Sequence, residues 1–388
     1  MPNVSDVTVL LPGSLVIGIA TLVPLFIAVI YFIFEPAISL SLSHKNDIDN
    51  GNPKAKESLI LEHPIIHDDG NKNDDSPDEY FLSLVVPAYN EEERLPPMLQ
   101  STISYLQKEE NRDNIIKLCS KICNIKNNSN SGCGSKRKIS PFQIIIANDG
   151  STDGTVQTVK DFARKAHENE NSSSTGTDLL LVPIQILTLT QNLGKGAAVK
   201  AGMIHPCNKA HLRLMVDADG ATNIESLSSL LMEMVNANGD DNTEGNINIA
   251  FGSRAHLANE SKAKRSKVRT FLMNVFHFFV KTLCSSRIHD TQCGFKLFTK
   301  DAALALFHNL HLEQWAFDTE LVVIAENLNM PIVEVGVEWQ EIDGSKLHTG
   351  KLALIKASAC MLRDMICVRA CYWLGLWVLT EVKIEKVD

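Results

Sequence analysis

What most constrains the fold of this chain is a series of short, continuously apolar runs that stop on polar or acidic residues. "FLSLVVPAYN" (81–90), "FQIIIANDG" (142–150), "HLRLMVDADG" (211–220) and "NINIAFGSR" (246–254) share that form, and "IQILTL" (184–189) and "PIVEVGVEW" (331–339) add two further apolar runs. A strand wetted on one face alternates apolar and polar residues, whereas an uninterrupted apolar run implies burial on both faces. Between these runs lie stretches with helical character: "EEERLPPMLQSTISYLQ" (91–107), "STDGTVQTVKDFARKA" (151–166) and "KGAAVKAGMI" (195–204). Strand and helix in alternation predict an α/β domain, with a mostly parallel sheet covered by helices on both sides. In such a sheet ligands gather outside the carboxyl ends of the strands. The clusters "PAYNEEE", "NDGSTDGT", "DADGAT" and "GSR" all fall at such ends.

The regions around this core have their own signatures. Residues 7–34 carry no charge, a run longer than the ~20 residues that cross a bilayer. It exceeds the apolar part of a cleaved signal peptide, no Lys or Arg precedes it, and no small-residue cleavage site follows. It therefore reads as an uncleaved transmembrane anchor, with 1–6 on the far side. Lys45, Lys54 and Lys56 follow it, which places the large C-terminal part in the cytoplasm. The polar stretch 35–79 reads as a flexible tether, 80–346 as the folded domain, and 108–140 and 168–177 as surface-loop inserts without a packed role. Nine cysteines, with no CxxC pair, suit reduced thiols facing the cytosol. Cys119, Cys123 and Cys133 lack the further ligands a zinc site needs. The net charge of −9 excludes a general nucleic-acid binder. In 347–388 the longest uncharged run is too short to cross a membrane, and Tyr372, Trp373 and Trp377 suit an interfacial helix as well as a core one.

The strand-end residues suggest chemistry. Asp217 and Asp219 stand at i and i+2, so on extended backbone their carboxylates share a face and repel. A solvated turn is one explanation, and a bound divalent cation is the other. Pro87, Tyr89, Asn90 and Glu91 read alone as a helix start, with Asn90 as cap and acids in the first turn. Asp149 sits where its carboxylate could accept from a base or ribose hydroxyl. Lys195, in "NLGKGAAVKAG", opens a helix without the full phosphate-loop pattern, a position suited to a diphosphate.

Together, "VVPAYNEE", "ANDGSTDGT", "NLGKG", "DADGAT", "GSR", "DTQCGFKLF" and "WAFDTEL" resemble, in that order, the inverting nucleotide-sugar glycosyltransferases of the GT-A fold. Within these the chain is most similar to the polyprenyl-phosphate group, and there to the dolichyl-phosphate β-glucosyltransferases. The resemblance covers about 80–346. It implies UDP-glucose as donor, dolichyl phosphate as acceptor, and an endoplasmic-reticulum membrane with the active site facing the cytosol. The short N-terminus would then be lumenal, and the product would be a lipid-linked glucose donor for N-glycan assembly. It implies Mg²⁺ or Mn²⁺ on Asp217 and Asp219, with Asp219 the preferred direct ligand. Asn223 lies near a glutamine ligand of some relatives but not at its spacing. Donor binding is expected at Pro87, Tyr89, Asn90, Glu91, Asp149, Lys195, Asp217 and Asp219. An acceptor phosphate is expected at Arg254, Arg269, Gln292 and Lys296. The run "KAKRSKVR" (262–269) suits anionic headgroups.

"HDTQCGFKLF" (289–298) is expected to form an acceptor-side loop, with Asp290 and Gln292 near the sugar and Cys293 as a packed thiol. Processive relatives have a catalytic-base aspartate near the position of Asp318. A phosphate acceptor is already ionised near neutral pH, since its second pKa is about 6. Asp318 would then orient sugar hydroxyls, and Glu320 would be a helix-start acid. The catalytic set is Asp217, Asp219, Asp318 and Arg254. A mannosyltransferase using GDP-mannose and a catalytically silent nucleotide-sugar-binding scaffold are the rivals.

Overall fold

The computed structural model describes residues 27–39, 60–63, 79–124, 139–172, 182–205, 207–238, 248–257, 279–285, 287–342 and 351–380. One eight-stranded sheet organises them, in the order β1-β4-β3-β2-β5-β7-β6-β8. Its strands are β1 (Ile60–His63), β2 (Glu79–Ala88), β3 (Ile139–Asn148), β4 (Ile184–Leu189), β5 (Ala210–Val216), β6 (Ile249–Ser253), β7 (Phe295–Thr299) and β8 (Ile332–Gly336). Pairs β2–β3, β3–β4, β2–β5 and β6–β8 are parallel, whereas β1 and β7 run antiparallel to their neighbours.

The double burial read from the apolar runs holds in the middle of the sheet. Along β2, Leu82, Leu84 and Val86 enter one core and Val85 the opposite one. Along β5, Leu212, Leu214 and Val216 face the first core and Met215 the second. This is the period-2 alternation of a strand with helices on both faces. The first core is closed by α2 (Leu95–Gln107), α3 (Glu109–Ile122), α4 (Thr155–Ser172) and α6 (Ser226–Asn238). The second is closed by α5 (Lys195–Ile204), α7 (Lys300–Asn309), α8 (Phe317–Asn327) and α9 (Lys351–Trp373), with α1 (27–39) packed at its rim. Phe298 anchors it, edge-on to Phe251 at 6.0 Å and to Phe307 at 5.5 Å. Each such pair contributes about 0.5–1.5 kcal/mol beyond its area.

Four expectations are corrected. Within 108–140, α3 is a packed helix: Ile115, Leu118 and Cys119 are buried at helical spacing, so its polar residues mark one face and not a loop. Residues 125–138 of that insert lie outside the described residues. The other insert begins as helix, since α4 continues to Ser172. The tether contains β1, which pairs with the edge strand β4. Finally, the second half of "HDTQCGFKLF" is strand β7, which enters between β5 and β6. Residues 7–26 of the expected anchor lie outside the described residues, and among the described residues no helix is long and apolar enough to cross a membrane.

Because β3 lies on one side of β2 and β5 on the other, the chain reverses its winding at β2. That is the switch point at which an open α/β sheet opens a crevice.

Candidate active site

The crevice begins with the turn after β2. Asn90 adopts φ 54°, in the left-handed region that Asn tolerates better than most residues. It does not cap α2, whose cap position is Arg94 and whose first turn holds no acid. Its Oδ1 instead accepts from the Thr152 amide at 2.8 Å, while its own amide donates to Ser151 Oγ at 2.9 Å. Glu91 chelates Arg94 through both carboxylate oxygens at 2.6 and 2.7 Å. Pro87 is buried within β2, opposite Ala147, and Tyr89 is half-buried at the rim. These residues therefore bind the first strand-end loop to the second.

Asp149 turns to the loop before α5. Its two oxygens accept from the Leu193 and Gly194 amides, at 2.8 and 2.9 Å. Burial pushes the carboxyl up and the two N–H bonds pull it down. Asp149 thus shapes the loop leading to α5. Gly194 has φ 112°, which an L side chain rarely adopts, and it places Lys195 at the first position of the helix.

Lys195 Nζ lies 2.7 Å from Asp217 Oδ1, in ionic contact but out of hydrogen-bond alignment. Burial works to lower the lysine pKa, yet the charges of Asp217, Asp318 and Asp219 outweigh it and raise it. Asp219 follows in the turn, its Oδ1 accepting from the Ala221 amide at 3.0 Å. Burial first, and then the charge of Asp217, push the Asp219 carboxyl up. Two hard-oxygen donors side by side, their repulsion only partly offset by Lys195, fit Mg²⁺ or Mn²⁺. Among the described residues no group of three or more His, Cys, Asp or Glu is placed to hold a metal, so further ligands would be substrate oxygens and water. Asn223 is not one of them: its side chain bonds Glu338 Oε2 at 2.9 Å and the Glu225 amide. Gly294 packs so tightly on Asp217 that an added Cβ would lie 2.0 Å from Oδ2.

On the other side of the crevice stands Arg254, at the end of β6. Asp290 grips it in fork geometry, accepting from Nε at 2.8 Å, Nη2 at 2.9 Å and the Arg254 amide at 2.9 Å. Burial opposes both charges, but the pair dominates, so the arginine pKa rises and the aspartate pKa falls. Asp290 is thus the partner of the cation, where a sugar contact had been expected. Glu334 of β8 holds it in turn, accepting from the Asp290 amide at 2.8 Å and the His289 amide at 3.0 Å. The Trp339 ring lies 5.6 Å from the Arg254 guanidinium. The same ring lines a cavity of about 430 Å³ with Met98, Thr102, Gly220 and Ile342, immediately beyond Asp219.

Below these groups runs a buried charge pair. Lys296, fully buried in β7, donates to Asp318 Oδ1 at 2.6 Å, and its ammonium lies 4.9 Å from the Phe251 ring. It is a core cation under the site, not a surface charge awaiting a phosphate. Burial pushes the Asp318 carboxyl up while Lys296 and Lys195 pull it down. Gln292 turns a buried Nε2 inward without a hydrogen-bond partner. Cys293 is a packed thiol, pushed up to about 11 by burial. Arg269 and the 262–269 run lie outside the described residues. Glu334, Trp315 and Trp339 were missed by sequence reading. A signal existed for Glu334, the lone acid within the apolar "PIVEVGV".

The chain matches the model of glycosyl transferase family 2 over residues 122–307. It is 40% identical over 303 residues to a dolichyl-phosphate beta-glucosyltransferase of Dictyostelium discoideum, covering 77% of each chain. It is 38% identical over 309 residues to the enzyme of the same description from Homo sapiens, covering 80% of this chain and 81% of that one. To that of Saccharomyces cerevisiae it is 33% identical over 303 residues, covering 77% of each.

Proposed function

Because the chain belongs to the dolichyl-phosphate β-glucosyltransferases, within glycosyl transferase family 2 and its GT-A-like α/β fold, we propose that it transfers glucose from UDP-glucose to dolichyl phosphate with inversion. The observation that carries this reading is one crevice with two chemistries: Asp217, Asp219 and Lys195 at the ends of β5 and α5, and the clamped Arg254 at the end of β6. The two sides are close enough for the Asp217 charge to act on Arg254.

The donor diphosphate meets the ammonium of Lys195, which Gly194 places at the first position of α5. A divalent cation on Asp217 and Asp219 would supply Lewis-acid neutralisation of that diphosphate. Arg254 offers the acceptor phosphate a fixed positive charge, which Asp290 orients while leaving one guanidinium nitrogen for the ligand. The phosphate oxygen attacks the anomeric carbon, the bond from that carbon to the UDP oxygen breaks, and configuration inverts. The nucleophile arrives as an anion, so no side chain has to remove a proton. Asp318, locked to Lys296, orients sugar hydroxyls and holds the position of Lys195.

The enzyme works at the endoplasmic-reticulum membrane with its catalytic domain in the cytosol. Supporting this are the uncharged run 7–34 and the exposed apolar residues Ile27, Val29, Ile30, Tyr31 and Phe32 of α1. Trp373, Leu374, Leu376 and Val378 at the end of α9 are likewise exposed. Arg363 links the two elements through an ion pair with Glu35 and a cation–π contact with Phe32.

The test uses membranes containing the full chain, dolichyl phosphate, Mg²⁺ and labelled UDP-glucose or GDP-mannose in parallel. Label in the chloroform phase from UDP-glucose alone is expected. Label from GDP-mannose alone would sink the glucosyl assignment, and label from neither would favour a silent binding protein.

A further inference from the structure

Glu320 is completely buried, and its hydrogen bonds run away from the crevice. Its carboxylate instead collects the loop between α7 and α8. It accepts from the His311 amide at 3.1 Å, His311 Nδ1 at 2.9 Å, the Leu312 amide at 2.7 Å and Tyr372 Oη at 3.3 Å. Trp377 then lies flat on the His311 ring, with centroids 4.1 Å apart and planes 3° from parallel. Tyr372 meets both rings edge-on. Asn309 and Thr380 close the arrangement with reciprocal side-chain-to-backbone bonds of 3.0 and 2.8 Å. Residues 372–380 are therefore folded back on the loop, with Trp377 9% exposed while its neighbours Leu376 and Val378 are 61% and 74% exposed.

That loop is the floor beneath Lys195. The Glu313 carbonyl accepts from the Ala197 amide at 3.1 Å, the Leu310 carbonyl from Lys200 Nζ at 2.6 Å, and Gln314 Nε2 donates to the Leu193 carbonyl at 2.8 Å. Gly194 and Gly196 lie against it closely enough that a Cβ on either would come within 2.5 and 2.7 Å of its carbonyl oxygens. The Trp315 ring sits 5.6 Å from Lys195 Nζ, and three residues later the chain presents Asp318.

We propose that Glu320 and the Trp377–His311 stack are positioning residues for Lys195, through which the C-terminal segment 372–380 sets the donor side of the crevice. The placement of the lysine rests on the proposed transfer reaction for its meaning, but the mechanical coupling can be measured without it. Hydrogen exchange of the full chain, without ligand, reads the coupling directly. In Trp377→Ala the amides of 193–198 should exchange about tenfold faster, an aromatic stack of this kind being worth that order of local opening, while 144–148 in β3 stay unchanged. Trp377→Phe should restore protection, and Trp373→Ala, on the exposed side, should alter nothing in 193–198. If Trp377→Ala loosens 370–380 and 310–316 but leaves 193–198 protected, the proposal is wrong.

Transfer kinetics form the second arm. Trp377→Ala and Glu320→Gln should raise KM for UDP-glucose and lower kcat with little change in KM for dolichyl phosphate. Lys195→Met combined with Trp377→Ala should be no slower than Lys195→Met alone. Additive losses, or losses that track the folded fraction, would overturn the positioning role. A wild-type chain without glucosyl transfer would refute the proposed reaction, and the exchange result would still decide the coupling.

Discussion

Gly294→Ala is a single-methyl test of the carboxylate pair. The new Cβ would lie 2.0 Å from Asp217 Oδ2, 2.2 Å from its Cγ and 2.5 Å from Oδ1. Neither side yields easily, because Gly294 is buried and leads directly into β7 between two strands, while Asp217 follows directly on β5. Gly294 is not among the positive-φ glycines, so alanine strains no backbone and its effect passes through the contact. Clearing the 3.0 Å floor for such contacts moves the nearer oxygen by about 1 Å, a misplacement that can cost about 10²-fold in rate. The side chain can rotate toward solvent, since it is 34% exposed. Stability should then fall only by about 1–2 kcal/mol, from a strained rotamer and a weakened, partly exposed ion pair. We expect kcat/KM for UDP-glucose to drop about 100-fold, with a melting temperature lower by about 2–6 °C. Initial rates on purified enzyme in dolichyl-phosphate micelles, with a thermal melt of the same sample, measure both. Asp217→Asn/Gly294→Ala should be no slower than Asp217→Asn. Rates for Gly294→Ala within about threefold of wild type would show that the position of Asp217 does not govern transfer.

The remaining expectations follow from individual contacts. Asp290→Asn leaves the half-buried Arg254 without its counter-charge and should destabilise by about 1–3 kcal/mol, read by urea melts. Because the folded Asp290 carboxyl is held below its ordinary value, its stabilisation is present above an unfolded pKa of about 3.9 and is lost as pH falls through the folded value. The stability gap between wild type and variant should therefore close below about pH 4; a gap constant down to acid unfolding would contradict the pairing. Cys293→Ala should keep its specific activity, since a thiol pushed up to about 11 is no nucleophile at neutral pH; abolished turnover in well-folded protein would overturn that. Asp219→Ala should abolish transfer and weaken Mn²⁺ binding measured by calorimetry in the presence of UDP, whereas unchanged Mn²⁺ affinity would remove it from the metal site.

Strand ends were legible because continuous apolar runs report burial on both faces, and the polar clusters after them mark the crevice without any alignment. What escaped the sequence is non-local. Strand β7 contains Lys296, which looks foreign to a core until Asp318, distant in sequence and carried on another helix, is brought to 2.6 Å of it. Helix α3 was hidden by the Asn, Lys and Glu residues of its wet face, although Ile115 and Leu118 carried the right spacing. Asp149 stood where expected, but its oxygens turned to two amides of a loop whose course no spacing rule predicts. Arg254 stands at the strand end read from the sequence, but its clamp by Asp290 and Glu334 was not legible, because that clamp joins the end of β6, the loop before β7 and the middle of β8.

The antiparallel course of β7 has a consequence for how the site can be varied. Its first residue, Phe295, lies beside Val216 at the end of β5, and Lys296 beside Phe251 in β6. A segment that leaves the sheet after Ser253 and returns at Phe295 starts and finishes at the same rim. Its length and composition can then change while both attachment points stay fixed in the ladder. The parallel strands, β2 through β5, are joined instead by helices that must span the sheet. One part of the molecule is therefore held by crossovers that traverse the sheet, and the other is attached at a single rim. A graft replacing 254–293 would keep Gly294 against Asp217, inherit the paired carboxylates and Lys195, and bring its own arginine to meet a different anionic partner.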